Sequence, residues 1–350
     1  MEQTNFTYSS AGVDIEHTDE IKSGIKGFLN TDNPRVLNGL GPFASLYDIK
    51  FDNIKNPVLV LKAEEPGSKQ KLAVEYGYIE SICHDMINHL VNDTIVMGAT
   101  PLAVLDTIVC GNADKNIVKG LIKGISEACK ANECVLVGGE TSVQPVVVDE
   151  GIYILTSSMA GIVDKNDIID GSAIKENNVV LAVASDGLHT NGYSLARLLM
   201  DKMPEIKSEE VPGESCNFIE SIMKPHTPYY KAVKDLFAGK KVKGMAHITG
   251  GGIEGNLNRI IPDGLCANID LSKIEVLPIF KYIKDKGNIT ESEMLKTFNC
   301  GVGLTIVVDA SVADEVKSHV SQYYKCYEIG KIISDISSNS KIKFSNQLNY

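Results

Sequence analysis

Thr249-Gly-Gly-Gly252 constrains the chain more than any other stretch. Three successive residues without a Cβ are poor helix or strand interior, so the run reads as a tight loop. An apolar-periodic segment carrying Asn256 follows, and Ala246–Asn256 as a whole reads as a loop feeding a helix start. Bare backbone N–H groups at such a place cradle anions, phosphate most often. Gly250, Gly252 and Gly255 also satisfy G-x-G-x-x-G, with Asp270 roughly the ~20 residues downstream that a dinucleotide site uses. A dinucleotide fingerprint, however, belongs in the first βαβ unit of its domain. Here it would begin mid-domain behind a very short strand, and strands and helices do not alternate strictly. A dehydrogenase reading therefore fails.

The chain has 350 residues, more than one ordinary core supports, so two domains are expected. Apolar content of 43% and charged content of 23% are those of a globular protein. A net charge of -11 offers no basic field for nucleic acid or anionic membrane. No apolar run approaches the ~18 residues a membrane helix needs, and Met1–Glu20 lacks a signal-peptide core. A cytoplasmic location is expected. The eight cysteines form no C-x-x-C pair and several sit in apolar runs, which favours buried reduced thiols over zinc or disulfides.

Residues 1–56 read as loop-rich, with a short helix carrying Ile21, Ile25 and Phe28 on one face and Lys26 beside it. Pro57–Leu61 reads as a strand and Lys62–Gln70 as a charged loop. Helical spacing follows over Glu80–Met97 and Asn116–Ala131, with strand patterns at Leu102–Val109, Cys134–Val137 and Ile152–Ala160. The strand at Val137 is expected to end at Gly138-Gly-Glu-Thr141. Polar residues around Asp170-Gly171 mark the domain boundary, giving domains 1–168 and 169–345. The second half reads as strands at Val179–Ala184, Leu265–Ile269, Val302–Val308 and Tyr327–Ile332. Helices are expected at Tyr193–Met200, Tyr229–Phe237, Pro278–Lys284, Glu291–Phe298 and Val312–Tyr323. Residues 201–216 read as an exposed loop, and the tail from Asp335 as frayed. The class is α+β rather than a doubly wound sheet.

Several side chains could carry chemistry. Asp85, His89 and Asp93 share one helix face, which suits either a divalent cation or a solvated surface. Asp106 lies inside an apolar strand and must be paired, protonated or metal-bound. Glu140 follows Gly138 and Gly139 at a strand end, where sites are commonly built. His189, among small polar loop residues, suits acid/base work or phosphate contact, or is an exposed turn histidine. His247 precedes the glycine run and either packs it or contributes to a site. Cys300 has no cationic neighbour in sequence to activate it as a nucleophile.

Taken together, the motifs resemble one family. Ala11-Gly-Val-Asp14, Leu37-Asn-Gly-Leu-Gly41, Val91-Asn-Asp93 and Leu136-Val-Gly-Gly-Glu-Thr141 come first. His189-Thr-Asn-Gly-Tyr-Ser194, Ala246–Gly252 and Thr297-Phe-Asn-Cys-Gly-Val-Gly303 complete the series. Their order and content are similar to those of the phosphoribosylformylglycinamidine cyclo-ligase (aminoimidazole ribonucleotide synthetase) family.

The resemblance implies an N-terminal sheet-plus-helices domain that dimerises into a shared barrel, and a sandwich-like α/β C-terminal domain. It implies ATP, Mg²⁺ and a small ribonucleotide substrate, with ring closure through phosphorylation of a formyl amide oxygen. By the same resemblance, Asp93, Asp106 and Glu140 would hold Mg²⁺, and Lys26, His189 and Asp93 would serve catalysis. Glu64, Gly67, Ser68, Lys69, Asp93, Asp106, Gly138, Gly139 and Glu140 would bind ATP. Asn191, His247, Thr249, Gly250, Gly251 and Gly252 would line the substrate side.

The chain departs from the family at Lys62-Ala-Glu-Glu-Pro-Gly-Ser-Lys69, where the family pattern is Gly-Thr-Asp-Gly-Val-Gly-Thr-Lys. Lys62 and Glu65 replace glycines, and Pro66 stiffens the stretch. Ser142-Val-Gln-Pro145 also lacks the carboxylate of the family's Ala-Glu-Met-Pro. These departures leave open a paralogue acting on another amide or amidine, and a non-catalytic relative.

Overall fold

The computed structural model describes residues 27–28, 32–38, 43–335 and 340–350. Lys26, the Ala11–Asp14 motif and most of the expected first helix lie outside the described residues. Two sheets organise the rest, and no strand is shared between them.

The first sheet has the order β1-β4-β2-β3, from β1 (Pro57–Glu64), β2 (Thr100–Cys110), β3 (Val135–Val143) and β4 (Tyr153–Asp164). β2 and β3 run parallel, and the other pairs are antiparallel. Helices α1 (Lys69–Tyr76), α2 (Ile79–Ile95) and α3 (Lys115–Ala131) belong to this half. Asp114 caps α3 by accepting from the N–H groups of Asn116 and Ile117. Ile82, Met86, Leu90, Val104, Ile108, Leu121 and Ile125 are fully buried and form the core under the sheet.

The second sheet has the order β10-β7-β9-β5-β8-β6. Its strands are β5 (Val179–Ala184), β6 (Val242–His247), β7 (Leu265–Asp270), β8 (Val302–Val308), β9 (Cys326–Ser334) and β10 (Ile342–Ser345). Helices α4 (Tyr193–Lys202), α5 (Phe218–Ile222), α6 (Tyr230–Val233) and α7 (Gly252–Leu257) come between β5 and β7. They are followed by α8 (Pro278–Gly287), α9 (Glu291–Thr297) and α10 (Ala313–Val320). β8 is buried at every residue, as expected of a largely apolar run on an interior strand. The architecture is α+β in two units, joined over residues 165–178.

Four local expectations are corrected. β1 runs to Glu64, so Lys62 and Glu64 are strand residues rather than loop. β3 continues through Gly138-Gly-Glu-Thr141 instead of stopping there. Residues 201–216 include a 3-10 turn at Pro204–Ser208 and bury Ile206 and Val211, because this segment covers the second core. The tail is not frayed at Ile342–Ser345, which pairs in parallel with β7. All eight cysteines are free thiols, seven of them buried. Among the described residues no helix is long and apolar enough to cross a membrane.

Candidate active site

The site is built on α2, and its polar stripe is the starting point. Ser81, Asp85, Asn88 and Asn92 are spaced four, three and four apart, so they fall on one helix face. That face is not solvated. Asp85 and Asn92 are fully buried and His89 is 8% exposed, because residues 222–229 of the second unit lie against them. Ser81 Oγ donates to the Met223 carbonyl at 2.7 Å. Asn88 Nδ2 donates to the His226 carbonyl at 2.6 Å, and Asn92 Nδ2 to that of Thr227 at 2.9 Å. The Tyr229 N–H donates back to Asn92 Oδ1 at 3.1 Å. Each carboxamide thus satisfies backbone groups of an irregular segment that has no ladder of its own.

Lys69, at the first position of α1, is fully buried in the same seam. Its Nζ lies 2.6 Å from Asp85 Oδ2 and donates to the carbonyls of Lys224 at 2.7 Å and His189 at 3.2 Å. With those three acceptors engaged, Lys69 ties the two units together and has no hydrogen left for a nucleotide phosphate. Burial lowers the Lys69 pKa against the pull of Asp85. Burial likewise pushes Asp85 up to about 6, with Lys69 and the His226 N–H opposing it.

Four histidines converge where α2 meets the loops after β5 and β6. The His189 ring stacks on His226 at 4.1 Å between centroids, His226 stacks on His89 at 5.0 Å, and His247 meets His89 edge-on at 5.2 Å. Burial drives His89 down to about 4 and holds His189 and His226 well below the usual histidine range. These three are neutral imidazoles at physiological pH. His189 sits at φ 63, a left-handed conformation uncommon for a residue with a Cβ, and its Nδ1 has no partner in the protein. It is fully buried rather than an exposed turn residue, and being neutral it suits proton transfer better than charge neutralisation.

Asp93, near the C-terminal end of α2, connects this cluster to β1. Its Oδ1 lies 2.8 Å from His247 Nδ1, and its Oδ2 lies 2.9 Å from Lys62 Nζ. Burial opposes its charge, but the His247 hydrogen bond and the Lys62 contact hold it well below the usual carboxylate range. Strand alternation places Lys62 and Glu64 on the same face of β1, so Glu64 Oε2 also reaches Lys62 Nζ, at 2.9 Å. His89 Nε2 stands 3.5 Å from Glu64 Oε2 and 3.7 Å from Asp93 Oδ2.

The three carboxylates expected to share one ion are not brought together in this chain. Asp106 is in register with Gly139, and Thr107 with Glu140, so alternation sends Asp106 and Glu140 to opposite faces of the sheet. Asp106 points into the core, where burial pushes it up to about 7 and its Oδ2 has no partner. A Cβ at Gly139 would stand 2.0 Å from Asp106 Oδ1, which explains the glycine there. Glu140 is exposed on the open face, and Gly138 lies beside Ser45 Oγ. Among the described residues, the compact groups with metal-ligand chemistry are His189–His226–His247 and His89–Asp93–His247. For a hard ion such as Mg²⁺, Glu64 and Asp93 fit better, since two oxygens from separate elements already converge on one cationic atom.

The glycine run lacks dinucleotide-site topology, in line with the reading of the sequence. It follows β6, an edge strand antiparallel to β8, and α7 is only six residues long. That excludes a βαβ dinucleotide unit on topology. Its amides are not all bare: the Gly251 N–H donates to the Lys296 carbonyl and the Gly252 N–H to that of Thr249, both at 3.1 Å. Asn256 Nδ2 donates to the carbonyls of Thr249, Gly250 and Gly252, and Thr249 Oγ1 donates to Asn256 Oδ1. Gly251 and Gly252 have φ 92 and 61, and a Cβ at Gly252 would stand 1.9 Å from the Leu295 carbonyl oxygen. The run is therefore a rigid wall. Asn191 borders it at Gly250, with its Nδ2 buried and unpartnered.

Gly67 adopts φ 62 and its carbonyl accepts from Gln70 N–H at 3.2 Å, while Ser68 stands at the N-cap of α1 without a side-chain cap bond. Sequence reasoning did not reach Asn88, His226 or the burial of Lys69, and it met Asn92 only as part of the Val91-Asn-Asp93 motif. The spacing of the α2 stripe was visible, but the segment that covers it lies well over one hundred residues away.

Comparison with known proteins gives the family and the fold. The N-terminal domain model of AIR synthase related proteins matches residues 56–163, and the C-terminal domain model matches residues 175–343. The chain is 40% identical over 333 residues to the phosphoribosylformylglycinamidine cyclo-ligase of Methylobacillus flagellatus, covering 95% of each. It is 39% identical to that of Thermodesulfovibrio yellowstonii, covering 93% of this chain and 96% of the relative. In fold it is similar to E. coli HypE (TM-score 0.68, 15% identity, 94% of each chain). It is similar also to a HypE solved in complex with ATP (TM-score 0.66, 13% identity, 97% of this chain and 96% of that one). With both domain models matched in order and relatives aligned end to end, the chain belongs to the phosphoribosylformylglycinamidine cyclo-ligase family of AIR synthase related proteins.

Proposed function

We propose that the chain catalyses ATP-dependent ring closure of formylglycinamidine ribonucleotide to aminoimidazole ribonucleotide, a step of de novo purine biosynthesis in the cytoplasm. The observation that carries this reading is the likeness to cyclo-ligases at 40% identity over 95% of the chain. An amide oxygen is a poor leaving group. Transfer of the γ-phosphoryl group of ATP to the formyl oxygen makes it a good one. The amidine nitrogen then attacks the formyl carbon, phosphate leaves, the nitrogen loses a proton, and ADP is released. Positioning and charge neutralisation supply most of the rate in such a transfer.

Glu64 and Asp93 would hold Mg²⁺, which when bound neutralises charge on the nucleotide phosphates. Gly67 and Ser68 would border the phosphates, and Lys26 would supply a cation to them. His189 would donate from Nδ1 to an oxygen of the substrate or of its phosphoryl group, a role supported by the unpartnered Nδ1 and by Nε2 accepting from the Thr227 N–H. Asn191, His247 and Thr249–Gly252 would form the ribonucleotide side, a role supported by the rigid loop and the unpartnered Asn191 Nδ2.

A homodimer is part of the same reading. Leu59, Leu61, Leu105 and Ile154 are exposed apolar residues on the first sheet, at 49%, 72%, 48% and 38%. A second copy covering that face would bury them and close a barrel. Glu140, exposed on the same face, would then lie at the subunit interface. ADP release and appearance of aminoimidazole ribonucleotide from the formylglycinamidine substrate test the reaction, and ATP binding without turnover would sink it.

A further inference from the structure

Lys62 occupies a position that the proposed reaction does not explain. Its Nζ lies 2.9 Å from Glu64 Oε2 and 2.9 Å from Asp93 Oδ2. These are the two oxygens that also face His89 Nε2, while the other oxygen of Asp93 is taken by His247. The contact is no loose surface pair, since the three side chains are 33%, 21% and 23% exposed. Strand alternation sets Lys62 and Glu64 on one face, and α2 brings Asp93 to meet them. Two carboxylates, one ammonium and a buried neutral imidazole thus surround a single point that carries one positive charge.

We propose that Lys62 is a tethered cation that occupies the divalent-ion position between Glu64 and Asp93, so that the lysine and a bound metal exclude one another. The reason is steric as well as electrostatic. Mg²⁺ and Mn²⁺ need carboxylate oxygens at roughly 2.1 Å, and an ammonium that is already in contact with both oxygens fills the same space. Like charges a few ångströms apart in a partly desolvated pocket also repel strongly. Metal entry therefore requires the lysine to swing out, and while it is in place the metal-free site has one of its two negative charges compensated. The inference rests on the proposed assignment of Glu64 and Asp93 to the metal. Its test reads metal binding directly, without nucleotide or turnover.

Mn²⁺ is titrated into the full-length protein, and free Mn²⁺ is followed by electron paramagnetic resonance. Lys62→Met is expected to bind Mn²⁺ about tenfold more tightly than wild type or better, as removal of one unit charge beside the site requires. Adding Glu64→Gln should cancel that gain, and Lys62→Arg should keep the weak binding of wild type. Equal affinity in wild type and Lys62→Met, or a gain in Lys62→Arg matching that of Lys62→Met, overturns the proposal. Thermal melts confirm that each variant is folded. Calorimetry with a non-hydrolysable ATP analogue separates the two ideas: failure to bind the analogue would count against the ligase reading and leave the Mn²⁺ comparison standing.

Discussion

Lys69 and Asp85 form a fully buried ion pair, 2.6 Å between Nζ and Oδ2, at the seam between the two sheet-bearing units. Lys69 also donates to two carbonyls of the second unit, so the pair fastens one unit to the other rather than only neutralising charge. Removing one partner leaves an uncompensated buried charge, which costs about 3–5 kcal/mol. Lys69→Met should therefore lower the unfolding free energy measured by urea denaturation by that amount, and Lys69→Met with Asp85→Leu should recover a substantial part of it. A single variant as stable as wild type would show that the pair does not hold the seam.

The same pair sets a pH dependence. Asp85 is pushed up to about 6 from an ordinary value near 3.8, so the native state binds its proton more tightly than the unfolded chain does. The cost of keeping this carboxylate charged is thus present above about 6 and is relieved as pH falls below it. Without Lys69 the carboxylate loses its largest compensating partner and the relief grows. His189 and His226, buried neutral beside it, lose stability as pH falls, and because the Lys69 charge adds to that loss, its removal narrows the deficit further at low pH. The stability deficit of Lys69→Met relative to wild type should be smaller at pH 5.5 than at pH 8, measured by urea unfolding at both. A deficit independent of pH would refute the charge argument.

Asn256 holds three carbonyls of the glycine loop through one buried carboxamide. Asn256→Ala should destabilise the protein by about 1–3 kcal/mol, the cost of leaving buried acceptors unmade. It should also raise KM for the ribonucleotide more than KM for ATP, because the loop borders Asn191 and not β1. Steady-state kinetics with each substrate varied in turn decides this, and an equal rise in both would remove the loop from the ribonucleotide side.

Leu61 is 72% exposed on a sheet face that also presents Leu59 and Leu105. Leu61→Glu should convert a dimer to a monomer in sedimentation velocity, with little loss of monomer stability because the side chain is already exposed. A wild-type chain that sediments as a monomer, or a variant that remains a dimer, would place the interface elsewhere.

Much of the fold was legible locally. Val179–Ala184 and Val302–Val308 were read with their observed bounds, since a short β-branched apolar run between breakers has few other uses. The periodicity of Ile82, Met86 and Leu90 likewise marked α2 within two residues at either end. The site was legible only in pieces. Asp93, His189, His247 and the glycine run were each singled out, and the seam brings the first three together. The charged stretch from Lys62 hid a strand, because alternation with Lys and Glu on the inner face does not look apolar. Residues 224–229, with Pro225 and Pro228, have no periodicity to read, and His226 went unseen there.

The Thr-Gly-Gly-Gly run shows where that division lies. Its being a tight loop followed from the sequence alone, because positive φ at Gly251 and Gly252 is a local property of residues without a Cβ. Whether its amides face a ligand or the protein was decided by the Lys296 and Thr249 carbonyls, and its own carbonyls by Asn256, which only the folded chain delivers. The same holds for Lys62, Glu64 and Asp93. Strand pairing with helix packing brings these three charges together at one point. Periodicity reports which face a residue is on, whereas the partner of that face depends on contacts far away in the chain.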